Sequence, residues 1–227
     1  MTEKIIVSIE GNIGAGKTTF LSRLIELYPQ EVEIIYEPVN IWVAYNVTGM
    51  DEEVSLLSKF YEDPKQYAFP FQIAVMTSQM QTLIKQIGES MKKIIVVDRS
   101  LFSSYHVFCQ ALYHDGKLTI IELEILTQLM KMFEDHLLLY GYEFYYHIYL
   151  YTDPEVCLER IRKRARAEEV NISLDYLKQL HEHHQLWFMC SAACGKSLTV
   201  NANTDMEQQQ GYYDTFIANM MEHLKDF

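Results

Sequence analysis

Gly11, Gly16, Lys17 and Thr18 complete the pattern G-x-x-x-x-G-K-T within the run IEGNIGAGKTTF. That spacing is suited to holding a phosphate chain. Glycines let the backbone curl so that its N–H groups point inward at phosphate oxygens, and a helix N-terminus adds partial positive charge. The candidate cradle is Gly11, Asn12, Gly14, Ala15, Gly16, Lys17, Thr18 and Thr19. Lys17 is expected to neutralise the β- and γ-phosphates of a nucleoside triphosphate, and Thr18 to hold Mg²⁺ through its hydroxyl. An ordinary glycine-rich turn is the alternative, but the flanks argue against it. KIIVSI reads as a buried strand, and TTFLSRLIELY repeats apolar residues at helical spacing.

The elements that must position this loop alternate along the chain. Short β-rich runs occur at KIIVSI, EVEIIY, KKIIVV, FYYHIYLY and SLTVNA, with helical patterns between them. This order predicts an α/β fold with a five-stranded parallel sheet flanked by helices, and ligands at the carboxyl ends of the strands. Each strand end is therefore a place to look for chemistry. The second is followed by YEPVNIW, with Glu37 before a proline that interrupts the strand. The third leads into DRSLFSS, where Asp98 and Arg99 stand in a turn that would more naturally carry Gly or Asn. Taken alone, either acid reads as a solvated loop residue, and Asp98 as a helix N-cap. Together with the phosphate loop they read as a site.

The fourth strand leads into a run with Arg160, Arg162, Lys163, Arg164 and Arg166. A solvated helix face or a nucleic-acid patch is one reading. In a chain with a phosphate loop, a lid of arginines that closes over a transferring phosphoryl group is another. Helical spacing puts Arg160 and Arg164 on one face, with Arg166 where the helix gives way to loop. Arg162 and Lys163 are left to solvent.

Composition narrows the classes. The 227 residues are expected to form one domain (1–227, with the lid at about 160–172), and 49% hydrophobic with 22% charged residues fits a globular chain. A formal net charge of −12 argues against a nucleic-acid partner. No apolar run is long enough to span a bilayer, and the opening MTEK resembles no signal peptide, so a cytoplasmic location without membrane contact is expected. Cys109, Cys157, Cys190 and Cys194 are expected to be reduced thiols. In HEHHQLWFMCSAAC the spacing of His181, His183, His184, Cys190 and Cys194 matches no familiar zinc pattern, and an amphipathic helix with buried thiols is the preferred reading.

These motifs, in this order, resemble the deoxynucleoside kinases, the family of deoxycytidine, deoxyguanosine and mitochondrial thymidine kinases and the insect multisubstrate enzyme. The resemblance runs nearly end to end, through GNIGAGKTT, YEPVNIW, YEDPKQYAFPFQ, DRSLFSSYHVF and RIRKRARAEEVNISLDYLKQLHEHHQLW. It implies phosphoryl transfer from ATP or another nucleoside triphosphate to the 5′-hydroxyl of a deoxynucleoside. By the resemblance Glu37 is the base, Arg99 steadies it, and Asp98 helps Thr18 position Mg²⁺. Arg160, Arg164 and Arg166 meet the phosphates, and Asp205, in the late loop VNANTDME, lies by the donor's adenine. Tyr61 and Glu169 read the 3′-hydroxyl and Gln72 the base edge, within a slot shaped by Trp42, Phe71 and Phe108.

By the same resemblance Gln79 and Ser104 stand where the deoxycytidine and deoxyguanosine kinases keep an Arg and an Asp near the base, and Val75 with the small Ser104 leaves room for a 5-methyl group. The expected substrates are thymidine and deoxycytidine, since an amide such as Gln72 can present donor and acceptor in either order. Wide apolar faces on YHVFCQALYH and TIIELEILTQLMKMFEDHLLLY match helices that the family uses for a homodimer, with burial inside the monomer as the alternative. So compact a chain suits a virus-encoded enzyme, for which the cytoplasm would be the host's. A thymidylate-type monophosphate kinase is the main rival, but such kinases carry an arginine before the Glu-Pro pair and this chain has Tyr36. A nucleotide-binding module without an acceptor is the second rival.

Overall fold

A computed structural model of the chain describes residues 4–46, 54–142, 144–193 and 197–225. Five strands, β1 (Ile5–Glu10), β2 (Val32–Ile35), β3 (Ile94–Asp98), β4 (Phe144–Tyr151) and β5 (Ser197–Asn201), form one sheet in the order β2-β3-β1-β4-β5. All neighbouring pairs are parallel. The five β-rich runs of the sequence are these strands, and the expected fold class is the observed one.

Burial on both faces explains the strand composition. Ile5, Val7 and Ile9 of β1 face a core built with Phe20, Leu21 and Leu24 of α1 (Lys17–Leu27) and with α8 (Pro154–Arg164) and α10 (Gln210–Lys225). Ile6, one residue out of phase, joins the opposite core, shared with α4 (Pro64–Glu89) and α7 (Ile120–Leu139). By the same alternation Ser8 and Glu10 belong to the side of Ile6. Ser8 Oγ lies 2.7 Å from His147 Nδ1 of β4.

Helix starts follow local chemistry. Gly16, at φ 96°, is the N-cap of α1 in a left-handed conformation open to glycine. Gly14 packs so closely on α8 that a Cβ there would meet the Cys157 carbonyl oxygen at 2.5 Å. Asp63 caps α4 by accepting from the Gln66 N–H, with Pro64 in the first turn. Thr119 and Glu122 close a capping box at the start of α7. Three short helices, α2 (Val39–Val43), α3 (Leu56–Glu62) and α5 (Leu101–Ser103), follow strand ends or loops. The run after α5 is a π-helical segment, Ser104–Cys109, continued by α6 (Gln110–His114). A π segment re-aims side chains relative to the α-helical register.

α9 (Leu174–Ala193) carries the His-rich run. His184 stacks on Tyr149 at 5.6 Å, His181 packs against Tyr151 at 5.2 Å, and His183 lies 3.3 Å from the His114 ring nitrogen. Cys190 is exposed, contrary to the expectation of a buried thiol, because α9 turns His184 and Phe188 onto Tyr149 of the sheet instead; Cys194 lies outside the described residues. Among the described residues no helix is long and apolar enough to cross a membrane.

Candidate active site

Two cavities open side by side at the carboxyl end of the sheet. The first, of about 470 Å³, is lined by Lys17, Thr18, Glu37, Trp42, Tyr61, Phe71, Gln72, Val75, Asp98, Arg99, Ser104, Phe108, Arg164, Arg166 and Glu169, among others. The second, of about 610 Å³, is lined by Gly14, Ala15, Gly16, Lys17, Thr18, Thr19, Arg160, Lys163, Arg164 and Asp205, with the loop after β5. Both sizes suit a small organic ligand. Gly14, Lys17, Thr18 and Arg164 line both, so anything passing from one cavity to the other passes these four residues.

Strand ends and helix starts set the charged cluster. Arg99 Nε lies 3.1 Å from Glu37 Oε1, joining the turn after β3 to the loop after β2. Arg99 holds φ 65°, a left-handed conformation unusual for a residue with a side chain. Its guanidinium stands 4.5 Å over the Phe108 ring, and Nη1 is buried without a hydrogen-bond partner among the described residues. Burial pushes the Glu37 carboxyl above its ordinary range, and the Arg99 and Lys17 charges pull it back. Burial also raises Asp98, opposed first by Lys17 and then by Arg99. Lys17 is lowered to about 8, chiefly by burial and then by Arg99, against the three acids Asp98, Glu37 and Glu10. Its ammonium lies 3.3 Å from the carbonyl oxygens of both Gly11 and Asn12.

Several residues stand where the sequence did not suggest. Gly11 and Asn12 line neither cavity; they shape the loop from behind, and Asn12 Nδ2 donates to the Leu177 carbonyl at 2.8 Å. Arg160 lines the second cavity, but its guanidinium donates to Asp205 Oδ1 (Nε, 3.1 Å) and to the Ala202 carbonyl (2.9 Å), tying the late loop to α8. Lys163 borders that cavity too and is exposed, in keeping with its assignment to solvent. Arg162 lines neither. Asp98 is no N-cap: Ser100 caps α5 instead. Gln79 sits behind the first cavity, where its Oε1 accepts from Ser104 Oγ at 2.8 Å and its Nε2 has no partner among the described residues.

The aromatic slot is built by α2, α3, α4 and the π segment. Phe60 stacks on Phe71 at 4.6 Å, and Trp42 meets Phe71 edge-on at 5.8 Å while donating its Nε1–H to Ser78 Oγ at 2.9 Å. Gln72 is 2% exposed, and its Oε1 accepts the Cys109 thiol at 3.6 Å. In the basic run at the end of α8, Arg164 makes a two-point pair with Glu169 (2.7 and 2.6 Å), and Arg166 Nη1 lies 3.7 Å from the same carboxylate. Sequence reasoning missed Tyr176, which lines the first cavity from α9, and Glu10, buried beneath the cluster. Both reach the site through contacts distant along the chain, and IEGNIGAGK shows Glu10 only as the end of an apolar strand.

Comparison with known proteins agrees with the geometry. The deoxynucleoside kinase family model matches residues 7–225. Deoxycytidine kinase 2 of Gallus gallus is 34% identical over 200 residues, covering 80% of this chain and 72% of the relative. Mitochondrial deoxyguanosine kinase of Xenopus laevis is 33% identical over 196 residues, covering 80% and 72%. Deoxycytidine kinase of Homo sapiens is 32% identical over 202 residues, covering 81% and 75%. With a phosphate loop at the junction of two cavities and a family match along nearly its whole length, the chain belongs to the deoxynucleoside kinase family.

Proposed function

We propose that the chain, acting as a single catalytic domain with its lid at about 160–172, phosphorylates the 5′-hydroxyl of deoxynucleosides, thymidine and deoxycytidine among them, from ATP or a similar triphosphate. The observation that carries this reading is the Glu37–Arg99 pair in the cavity that also contains Lys17 and the aromatic slot. An alcohol acceptor needs a base, and a half-buried carboxylate beside a guanidinium is one. Glu37 takes the 5′-hydroxyl proton as the new P–O bond to the γ-phosphorus forms and the bond to the departing nucleoside diphosphate breaks, and Arg99 keeps the carboxylate ionised until then. Lys17, Arg164 and Arg166 meet negative charge on the transferring phosphoryl group. Tyr36 in place of a cation beside Glu37 argues against an acceptor that already carries a phosphate.

Thr18 and Asp98 fit a hard cation such as Mg²⁺. Both offer oxygen to the same cavity, and Asp98 Oδ1 is buried without a hydrogen-bond partner among the described residues. Bound there, Mg²⁺ supplies charge neutralisation of the β- and γ-phosphate oxygens. Tyr61 and Glu169 line the acceptor cavity in reach of a sugar, and Gln72 stands at its floor for a base edge. Val75 and Ser104 are small enough to leave room for a 5-methyl group. We extend the proposal to a homodimer through α7, where Ile121, Ile125, Met132 and Leu139 form one exposed apolar stripe; a monomer in sedimentation velocity would contradict it.

Replacing Glu37 with Gln removes the base but keeps the side chain's size. Nucleoside and nucleotide affinities should change little while kcat falls at least about a hundredfold; retention of more than half the activity removes Glu37 from the chemistry. On the lid, Arg164→Ala and Arg166→Ala should lower kcat more than they weaken nucleoside binding, with Arg162→Ala as the control. An Arg162 variant as slow as the Arg164 variant would return the basic run to a solvated face.

Ser104→Asp tests the base slot. A carboxylate there takes the methyl group's space, and although the Gln79 amide can satisfy one oxygen, the other faces an amino group on cytosine but a carbonyl on thymine. That mismatch is worth about 1–3 kcal/mol, so kcat/KM for thymidine should drop about tenfold or more relative to deoxycytidine. An unchanged ratio, or a wild type that ignores thymidine, defeats the base-slot argument.

A further inference from the structure

Glu10 ends the central strand, and none of the roles above uses it. Its side chain is fully buried on a strand otherwise made of Ile, Val and Ser. Oε1 accepts the Ser100 N–H at 3.0 Å, and Oε2 has no hydrogen-bond partner among the described residues. One residue earlier, the Ile9 carbonyl accepts the Arg99 N–H at 3.1 Å. Two consecutive amides of the turn after β3 are thus held by the last two residues of β1, one through backbone and one through a side chain. At Arg99 the backbone sits at φ 65°, which its Cβ resists. This conformation aims the guanidinium over Phe108 and onto Glu37.

Burying an acid beside Asp98 and Glu37 is unfavourable, since like charges repel and carboxylates lose hydration. A residue needed only for packing at this point would be apolar, as Ile5, Ile6, Val7 and Ile9 of the same strand are. We propose that Glu10 is a positioning residue: through Ser100 it holds the Arg99 turn left-handed, so that the guanidinium stands beside Glu37. This deepens the function proposed above and rests on Arg99 acting beside Glu37. The property that matters is an acceptor oxygen at glutamate reach, not the negative charge.

Full-length Glu10→Gln, Glu10→Asp and Glu10→Ala separate the two. Gln keeps the reach and a carbonyl acceptor but loses the charge; Asp keeps the charge and withdraws the oxygen by one methylene. The proposal expects Gln to keep kcat within about threefold of wild type, whereas Asp loses at least about tenfold with nucleoside Kd, measured by calorimetric titration, within about threefold. Ala should behave as Asp or worse, and if it fails to fold, the Gln and Asp pair still decides. The opposite order, Asp active and Gln impaired, would overturn the proposal by making charge the essential property. Equal effects of Gln and Asp on kcat would also overturn it. A wild type that phosphorylates no deoxynucleoside would instead count against the proposed function itself.

Discussion

The structure depends on neutralising charges that the sheet keeps out of water. Glu10, Lys17, Glu37, Asp98 and Arg99 come from three strand ends and one helix start, and each acts electrostatically on the ionisation of Lys17 or is Lys17 itself. Three acids face two cations. Removing Lys17 or Arg99 from such a set leaves a buried acid uncompensated, at about 3–5 kcal/mol, so the cations must be placed with the acids. The strands supply the rigidity: β1 is buried along its whole length between β3 and β4. A site with one acid in excess and Lys17 lowered to about 8 is set up to gain from cations and phosphates arriving together.

Geometry then divides the labour. The aromatic slot and Glu37 stay on one side of the phosphate loop, and the late loop with Asp205 stays on the other. Arg164 borders both cavities and is held by Glu169, which lines the first. Occupation of one cavity therefore acts on a side chain that faces the other, an arrangement suited to a transfer in which both ligands must be in place.

Local signals in the chain accounted for much of this. The phosphate loop is a contiguous motif between a strand and a helix, so Lys17 and Thr18 could be found from spacing alone. Glu37 and Asp98 were legible because parallel sheets put chemistry at strand ends, and Arg164 because helical spacing separates it from Arg162. The rest depends on contacts between distant segments. Gln79 and Ser104 meet across 25 positions, and Glu10 reaches Ser100 across 90. Neither could be inferred from periodicity. The left-handed Arg99 was foreshadowed only by a turn that lacked the Gly or Asn such a turn favours.

The central claim is that the acceptor is an uncharged alcohol delivered to Glu37. A coupled assay with ATP and Mg²⁺ against the four deoxynucleosides and, separately, their 5′-monophosphates tests it most directly. kcat/KM should be at least about tenfold higher for one or more deoxynucleosides than for any monophosphate, as expected where a base rather than a cation awaits the acceptor. Turnover of monophosphates in preference to nucleosides would contradict it.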